Sequence, residues 1–120
     1  MTVRKYRYIS FSYSLLEGKN VSLENSIISI IRDKVNENFG EHVLYRLQNL
    51  ALLEYLHENN IFVIRVDRDI CKFILFSLVS VGQINGMKVN FKILFVSGIY
   101  KKLLKRLRDS ISKPENKNIC

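Results

Sequence analysis

The sequence predicts an α+β domain built on one four-stranded antiparallel sheet with helices packed against one face, extended by an additional basic helix at the C-terminal end. Three observations carry this. Strand-like alternation occurs near both ends and in the middle of the chain, helix-period stripes lie between those strands, and the order reads strand, helix, strand, strand, helix, strand, helix. The 120 residues suit a single domain, the 48% apolar content supports a core, and the 25% charged content is ordinary for a folded chain.

The first strand is "RKYRYISFSYS", with Arg7, Ile9, Phe11 and Tyr13 on one face and Tyr8, Ser10 and Ser12 on the other. "EGKN" breaks it. Ser22 is placed as a helix N-cap with Glu24 in the first turn, Ile27, Ile31, Val35 and Phe39 form one apolar stripe, and Gly40 suits the stop. The next stretch, "HVLYRLQNLALLEYL", favours helix by propensity, while its second half also fits a buried strand. The residues alone leave both open.

"HENN" makes a turn, and "IFVIRV" is a β-branched strand. Asp67 or Asp69 suits a helix cap, and Ile70, Phe73, Ile74, Ser77, Leu78 and Val81 suit a mostly buried helix ending at Gly82. Asn85-Gly86 marks a turn, after which "KVNFKILFVS" alternates with Val89, Phe91, Ile93 and Phe95 facing one way. A last helix is expected from about residue 99 to 110, and Pro114 opens a polar segment. We therefore expect a single domain over residues 1–112 and a flexible polar tail over 113–120. Together the elements follow the ferredoxin-like plan also used by RNA-recognition modules.

The formal charge of +8 is concentrated rather than scattered. Residues 8–99 hold nine cations and nine anions, so the excess lies in Arg4, Lys5 and Arg7 and in residues 100–120. In the last helix Tyr100, Leu103, Leu104, Leu107 and Ile111 form one stripe, and Lys101, Lys102, Lys105, Arg106 and Arg108 occupy the rest. One face packs on the domain while the other presents a row of cations, at a density suited to the phosphates of a nucleic acid. Ser97-Gly98 is the hinge from strand to helix, where glycine admits a close approach and the first helical N–H groups suit a phosphate oxygen.

Other chemistries find less support. Two cysteines, Cys71 and Cys120, fall short of a disulfide framework and point to a reducing compartment. No apolar signal core follows the basic start, and "FILFSLVSV" is about half a bilayer span, so no membrane partner is expected. His42 and His57 lack metal-ligand spacing, Cys71 suits an inert buried thiol, and Asp67 and Asp69 suit caps better than a catalytic pair. No catalytic residue, metal site or protein-bound cofactor is assigned. The competing readings are a stand-alone ferredoxin-like phosphate-ester or acylphosphate hydrolase, and a basic module for a protein or membrane surface.

Several segments, in this order, resemble the Pop-five family, small protein subunits of archaeal and eukaryotic ribonuclease P and of ribonuclease MRP. They are Lys5-Tyr6-Arg7-Tyr8, "IIRDKVNENFG", "IFVIRVDRD" with Arg65 and Arg68, Gly86, and "ILFVSG" followed by Lys101 and Lys102. The sequence departs from the family where Val43 and Asn60 replace frequent glycines and Ile99 replaces a threonine.

The resemblance implies that residues 50–55 form a strand, and that the standard aromatic RNA motif is missing from the central strands. It implies a subunit without catalytic residues of its own, in an enzyme whose large RNA removes the 5′ leader of precursor tRNA with Mg2+ at that RNA. The partners implied are ribonuclease P RNA or ribonuclease MRP RNA, precursor tRNA indirectly, and other protein subunits. The location implied is the nucleus or nucleolus in a eukaryote, the cytoplasm in an archaeon. The expected RNA contacts are Arg4, Lys5, Arg7, Tyr8, Arg65, Arg68, Ser97, Gly98, Lys101, Lys102, Lys105, Arg106 and Arg108.

Overall fold

The computed structural model describes residues 5–15, 23–84 and 86–112. Its central strand is β1 (Tyr6–Leu15), where alternation of apolar and polar residues lets one face enter a core. β1 pairs antiparallel with β3 (Ile61–Asp67) on one side and with β5 (Met87–Ser97) on the other. β2 (Ala51–Leu56) lies outside β3, and β4 (Gln83–Ile84) pairs with the start of β5, giving the order β2-β3-β1-β5-β4. The four long strands are the expected ones. β4 is a two-residue addition formed as the chain doubles back at Gly86, whose φ of 82° is a conformation glycine adopts freely.

Two helices cover one face of this sheet. α1 (Ile27–Phe39) buries Ile27, Ile31 and Val35, and α3 (Cys71–Ser80) buries Ile74, Ser77 and Leu78. They close over Ile9, Phe11, Tyr13, Phe62, Ile64, Val66 and Phe91 from the strands. Gly40 ends α1 at φ 85° with its N–H on the Asn36 carbonyl, as the sequence suggested.

The start of α1 differs from expectation. The helix begins at Ile27, Glu24 sits in the turn before it, 4.0 Å from the His57 ring, and Ser22 lies outside the described residues. Nor do the aspartates cap α3. A 3₁₀ turn (Arg68–Ile70) precedes that helix, and the Asp67 and Asp69 carboxylates turn instead to Asn49 and Arg46.

The ambiguous stretch divides in two. α2 (Glu41–Leu44) is a single helical turn, so Val43 has an ordinary backbone. β2 is a strand against its helix-favouring composition, because its edge completes the ladder to β3 from Ala51↔Arg65 to Leu56↔Ile61. The turn between them places Asn60 at φ 53°, the left-handed region that asparagine tolerates better than most residues.

The opposite face of the sheet is also covered, which the one-sided plan did not anticipate. α4 (Tyr100–Ser112) lays Leu103 and Leu107 on Ile61 and Val63, with Tyr8, Leu56, Leu94, Phe95, Tyr100 and Leu104 around them. Part of this second core comes from a bulge. The register passes from Ser10↔Phe95 to Phe11↔Ile93, leaving Leu94 as the extra residue. Val89, Phe91 and Ile93 therefore join the first core as expected, while Phe95 is turned over to α4. The fully buried Ser10 closes the irregularity by accepting the Phe95 N–H at 3.1 Å.

Candidate nucleic-acid interface

The pairs Tyr6↔Asp67 and Tyr8↔Ser97 bring the start of β1 and the ends of β3 and β5 to one end of the sheet. Residues that the sequence scatters are collected there. Lys5 is exposed, and its carbonyl accepts the Arg68 N–H at 3.0 Å. Arg68 is exposed in the 3₁₀ turn. Arg4 lies outside the described residues.

At this same end the chain leaves β5 and enters α4. Ser97 Oγ accepts the Ile99 N–H at 3.0 Å, so a hydroxyl organises the backbone just before the helix. Gly98 is where the close approach occurs, and the neighbour is a side chain. A Cβ built on Gly98 would stand 3.0 Å from Arg7 Nη1. Arg7 leaves β1 on the α1/α3 face, donates to the Tyr6 carbonyl at 3.2 Å, and reaches the hinge beyond which α4 crosses the other face.

Once past the hinge, amphipathicity sorts α4. Leu103 and Leu107 are buried and Tyr100 and Leu104 partly so, whereas Ile111 is exposed rather than packed. Lys101, Lys102 and Lys105 are exposed with no ion-pair partner among the described residues. Arg106 lies over the Phe95 ring at 5.8 Å, and Arg108 is exposed. At the helix start, Tyr100 donates to Glu54 Oε2 at 3.0 Å. Burial first, and then this hydrogen bond, push the Tyr100 hydroxyl above its ordinary pKa.

Two predicted contacts are already engaged inside the protein. The Tyr8 ring lies 5.3 Å from that of Tyr100, so the tyrosine helps seat α4. Arg65 stands over the Tyr6 ring at 4.8 Å and points Nη2 at the Asn49 carbonyl, 3.5 Å away. Its Nε is buried without a hydrogen-bond partner among the described residues. Arg65 thus sits half-inside the structure while Lys101, Lys102 and Lys105 project from it.

The covered sheet face has a consequence for recognition. RNA-recognition modules stack bases on aromatic residues of the open sheet. Here Leu103 and Leu107 of α4 rest on Ile61 and Val63 of β3, so a basic helix is presented where such a module presents its sheet.

Of the groups weighed for catalysis, Asp67 accepts from Asn49 and Asp69 pairs with Arg46. Burial raises the Cys71 thiol above its ordinary pKa, with the Arg7 charge acting in the other direction, and the net rise disfavours the thiolate that a nucleophile needs. Among the described residues no group of three or more His, Cys, Asp or Glu is placed to hold a metal ion.

Sequence reasoning missed one surface. α3 was expected to be mostly buried, yet Phe76 is 53% and Val79 59% exposed. Phe76 packs on Phe39, which also meets Phe73, forming an aromatic group at the surface. The signal was present in "CKFILFSLVS", since a helix apolar on nearly every side has more apolar faces than one sheet can cover.

Comparison with known proteins agrees with this architecture. A chain in the cryo-EM structure of yeast ribonuclease MRP superposes with a TM-score of 0.64 at 12% identity, over 94% of this chain and 95% of that one. No curated protein matches by direct sequence comparison. The sequence pattern of the Rpp14/Pop5 family, however, matches residues 7–108, from the arginine against the hinge to the last cation of α4. The chain belongs to the Rpp14/Pop5 family.

Proposed function

We propose that this chain is a non-catalytic, RNA-binding protein subunit of a ribonuclease P or ribonuclease MRP ribonucleoprotein. Family membership and the fold shared with a chain of yeast ribonuclease MRP support the assignment to such a particle. The observation that carries the RNA-binding role is the row of Lys101, Lys102 and Lys105. It stands on a helix anchored by Leu103 and Leu107, beginning at the sheet end that also holds Lys5, Arg7 and Arg68. Exposed lysines are unattached point charges, suited to phosphates along an RNA backbone, and such contacts orient an RNA without reading its sequence.

In this reading the protein braces the folded catalytic RNA, and the chemistry on precursor tRNA belongs to that RNA and its Mg2+. The protein itself holds no cofactor. The exposed Phe76 and Val79 serve to dock a neighbouring protein subunit. The site of action is the nucleus or nucleolus in a eukaryote and the cytoplasm in an archaeon.

The test is the salt dependence of RNA binding. Replacing Lys101, Lys102 and Lys105 together with Ala is expected to flatten the slope of log affinity against log salt by about 2 for a single-stranded target, near 0.7 per lost phosphate contact. An unchanged slope rejects the role assigned to α4.

A further inference from the structure

Beside the basic end of the sheet lies a polar pocket of about 240 Å³, between the turn after α2 and the end of β3. Its walls include Tyr45, Arg46, Gln48, Asn49, Asp67 and Asp69. Tyr45 is 73% exposed, its backbone N–H donates to the Glu41 carbonyl at 2.9 Å, and among the described residues no ring packs on its side chain. Asp69 Oδ2 holds Arg46 Nη2 at 2.7 Å, and Asp67 Oδ2 accepts from Asn49 Nδ2 at 3.1 Å. Two carboxylates line the pocket, and an ionised carboxylate accepts hydrogen bonds without donating any, which favours a ligand that donates them.

A flat, uncharged ligand rich in donors fits these walls. Guanine presents N1–H and the 2-amino group side by side on its Watson–Crick edge, a donor pair matched to one carboxylate. Adenine presents a ring acceptor in that place. Single-stranded RNA is read in this manner, with a splayed base stacked on an aromatic ring and its edge hydrogen-bonded. The flanking cations are in place too, since Arg68 is exposed between the two aspartates and is joined through its N–H to the Lys5 carbonyl.

We infer that this pocket takes an unpaired guanine base of the bound RNA, with its ring on Tyr45 and its Watson–Crick edge against Asp69. The identification of the ligand rests on the RNA-binding reading above. The neighbouring cations then meet the phosphates on either side of the base, and the pocket adds sequence preference to a surface that otherwise follows charge.

Free nucleosides test the pocket apart from the cation row, because they carry no phosphate. In a nuclear magnetic resonance titration of the isotope-labelled full chain, guanosine is expected to shift the side-chain amides of Gln48 and Asn49 and the backbone of Tyr45. Adenosine, cytidine and uridine are expected to leave them unmoved. Inosine, which lacks the 2-amino group, should bind several-fold more weakly than guanosine. Tyr45→Ala should weaken guanosine binding about five-fold or more, while Tyr45→Phe retains it. Asp69→Asn should remove the preference for guanosine, and an unchanged amide spectrum away from the pocket verifies that each variant is folded. Equal shifts with all four nucleosides, or none with any, overturn the inference. Either result leaves the role of α4 to be judged on its own salt dependence, and a failure there leaves the guanosine result standing.

Discussion

α4 is held by its own small apolar cluster, and this makes it separable from the rest of the domain. Leu103 is fully buried, but its buried partners are Ile61, Val63 and Leu107 rather than the group around Phe11 and Phe62. Leu103→Ala removes the buried part of that side chain and leaves a gap under the helix, a change that costs about 2–5 kcal/mol when the surroundings cannot collapse. A thirteen-residue helix is marginal in water without its packing face, so the loss falls on the docking and order of α4. Since each 1.4 kcal/mol is tenfold, hydrogen-exchange protection of the α4 amides should fall by roughly thirty-fold to a few thousand-fold. Amides of β1, α1 and α3 should change far less. RNA affinity should fall as well, although no cation has been removed, because the lysines are no longer held in a row. Equal loss of protection across all elements would refute the reasoning, since α4 and the sheet would then open as one unit.

Two further outcomes are expected. Gly98→Ala places a Cβ 3.0 Å from Arg7 Nη1, at the movable end of a side chain and at a residue without positive φ. Stability should therefore stay within about 0.5 kcal/mol while RNA affinity drops as Arg7 is displaced, and thermal melts with binding curves check both halves. The second concerns alkaline pH. Burial and the bond to Glu54 raise the pKa of Tyr100 from an ordinary 10.0, and burial together with Tyr55 raises that of Tyr13. The unfolded chain then loses these protons first, so their contribution is complete below pH 10.0 and declines as pH rises through the folded-state values. Denaturant melts between neutral and strongly alkaline pH should show this decline, less steeply in Tyr100→Phe, and a stability that rises over that range contradicts it.

The parts of this fold that were legible in sequence are those where one face of one element decides the structure. The alternation from Arg7 to Tyr13 and the four-residue stripe from Ile27 to Val35 each name a buried face without reference to the rest of the chain. β2 was illegible from its residues because Leu, Ala and Glu suit helix, and only the unpaired edge of β3 makes that stretch a strand. The turning-over of Phe95 was hidden for a similar reason. The run from Ile93 to Val96 is apolar throughout, and the bulge within it is closed by Ser10, eighty-five residues away.

At the candidate site, the row of cations and the apolar stripe of α4 could be read directly, but the sheet face that the helix covers could not. That depends on how the chain turns at Gly98 and on whether Ile61 and Val63 stand ready on the far face. The engagement of Tyr8 by Tyr100 and of Arg65 by Tyr6 depends on the same geometry. A residue that looks available for RNA in the sequence is in these cases partly occupied by its own fold.

The central claim concerns where RNA lies, and the reactivity of individual lysines measures that directly. Amine acetylation of the full chain, followed by mass spectrometry with and without bound ribonuclease P RNA, compares Lys101, Lys102 and Lys105 with Lys88, which is exposed at the far end of β5. Strong protection of the three α4 lysines with Lys88 unaffected is the predicted result. Equal acetylation of all four in the RNA-bound protein would contradict the account.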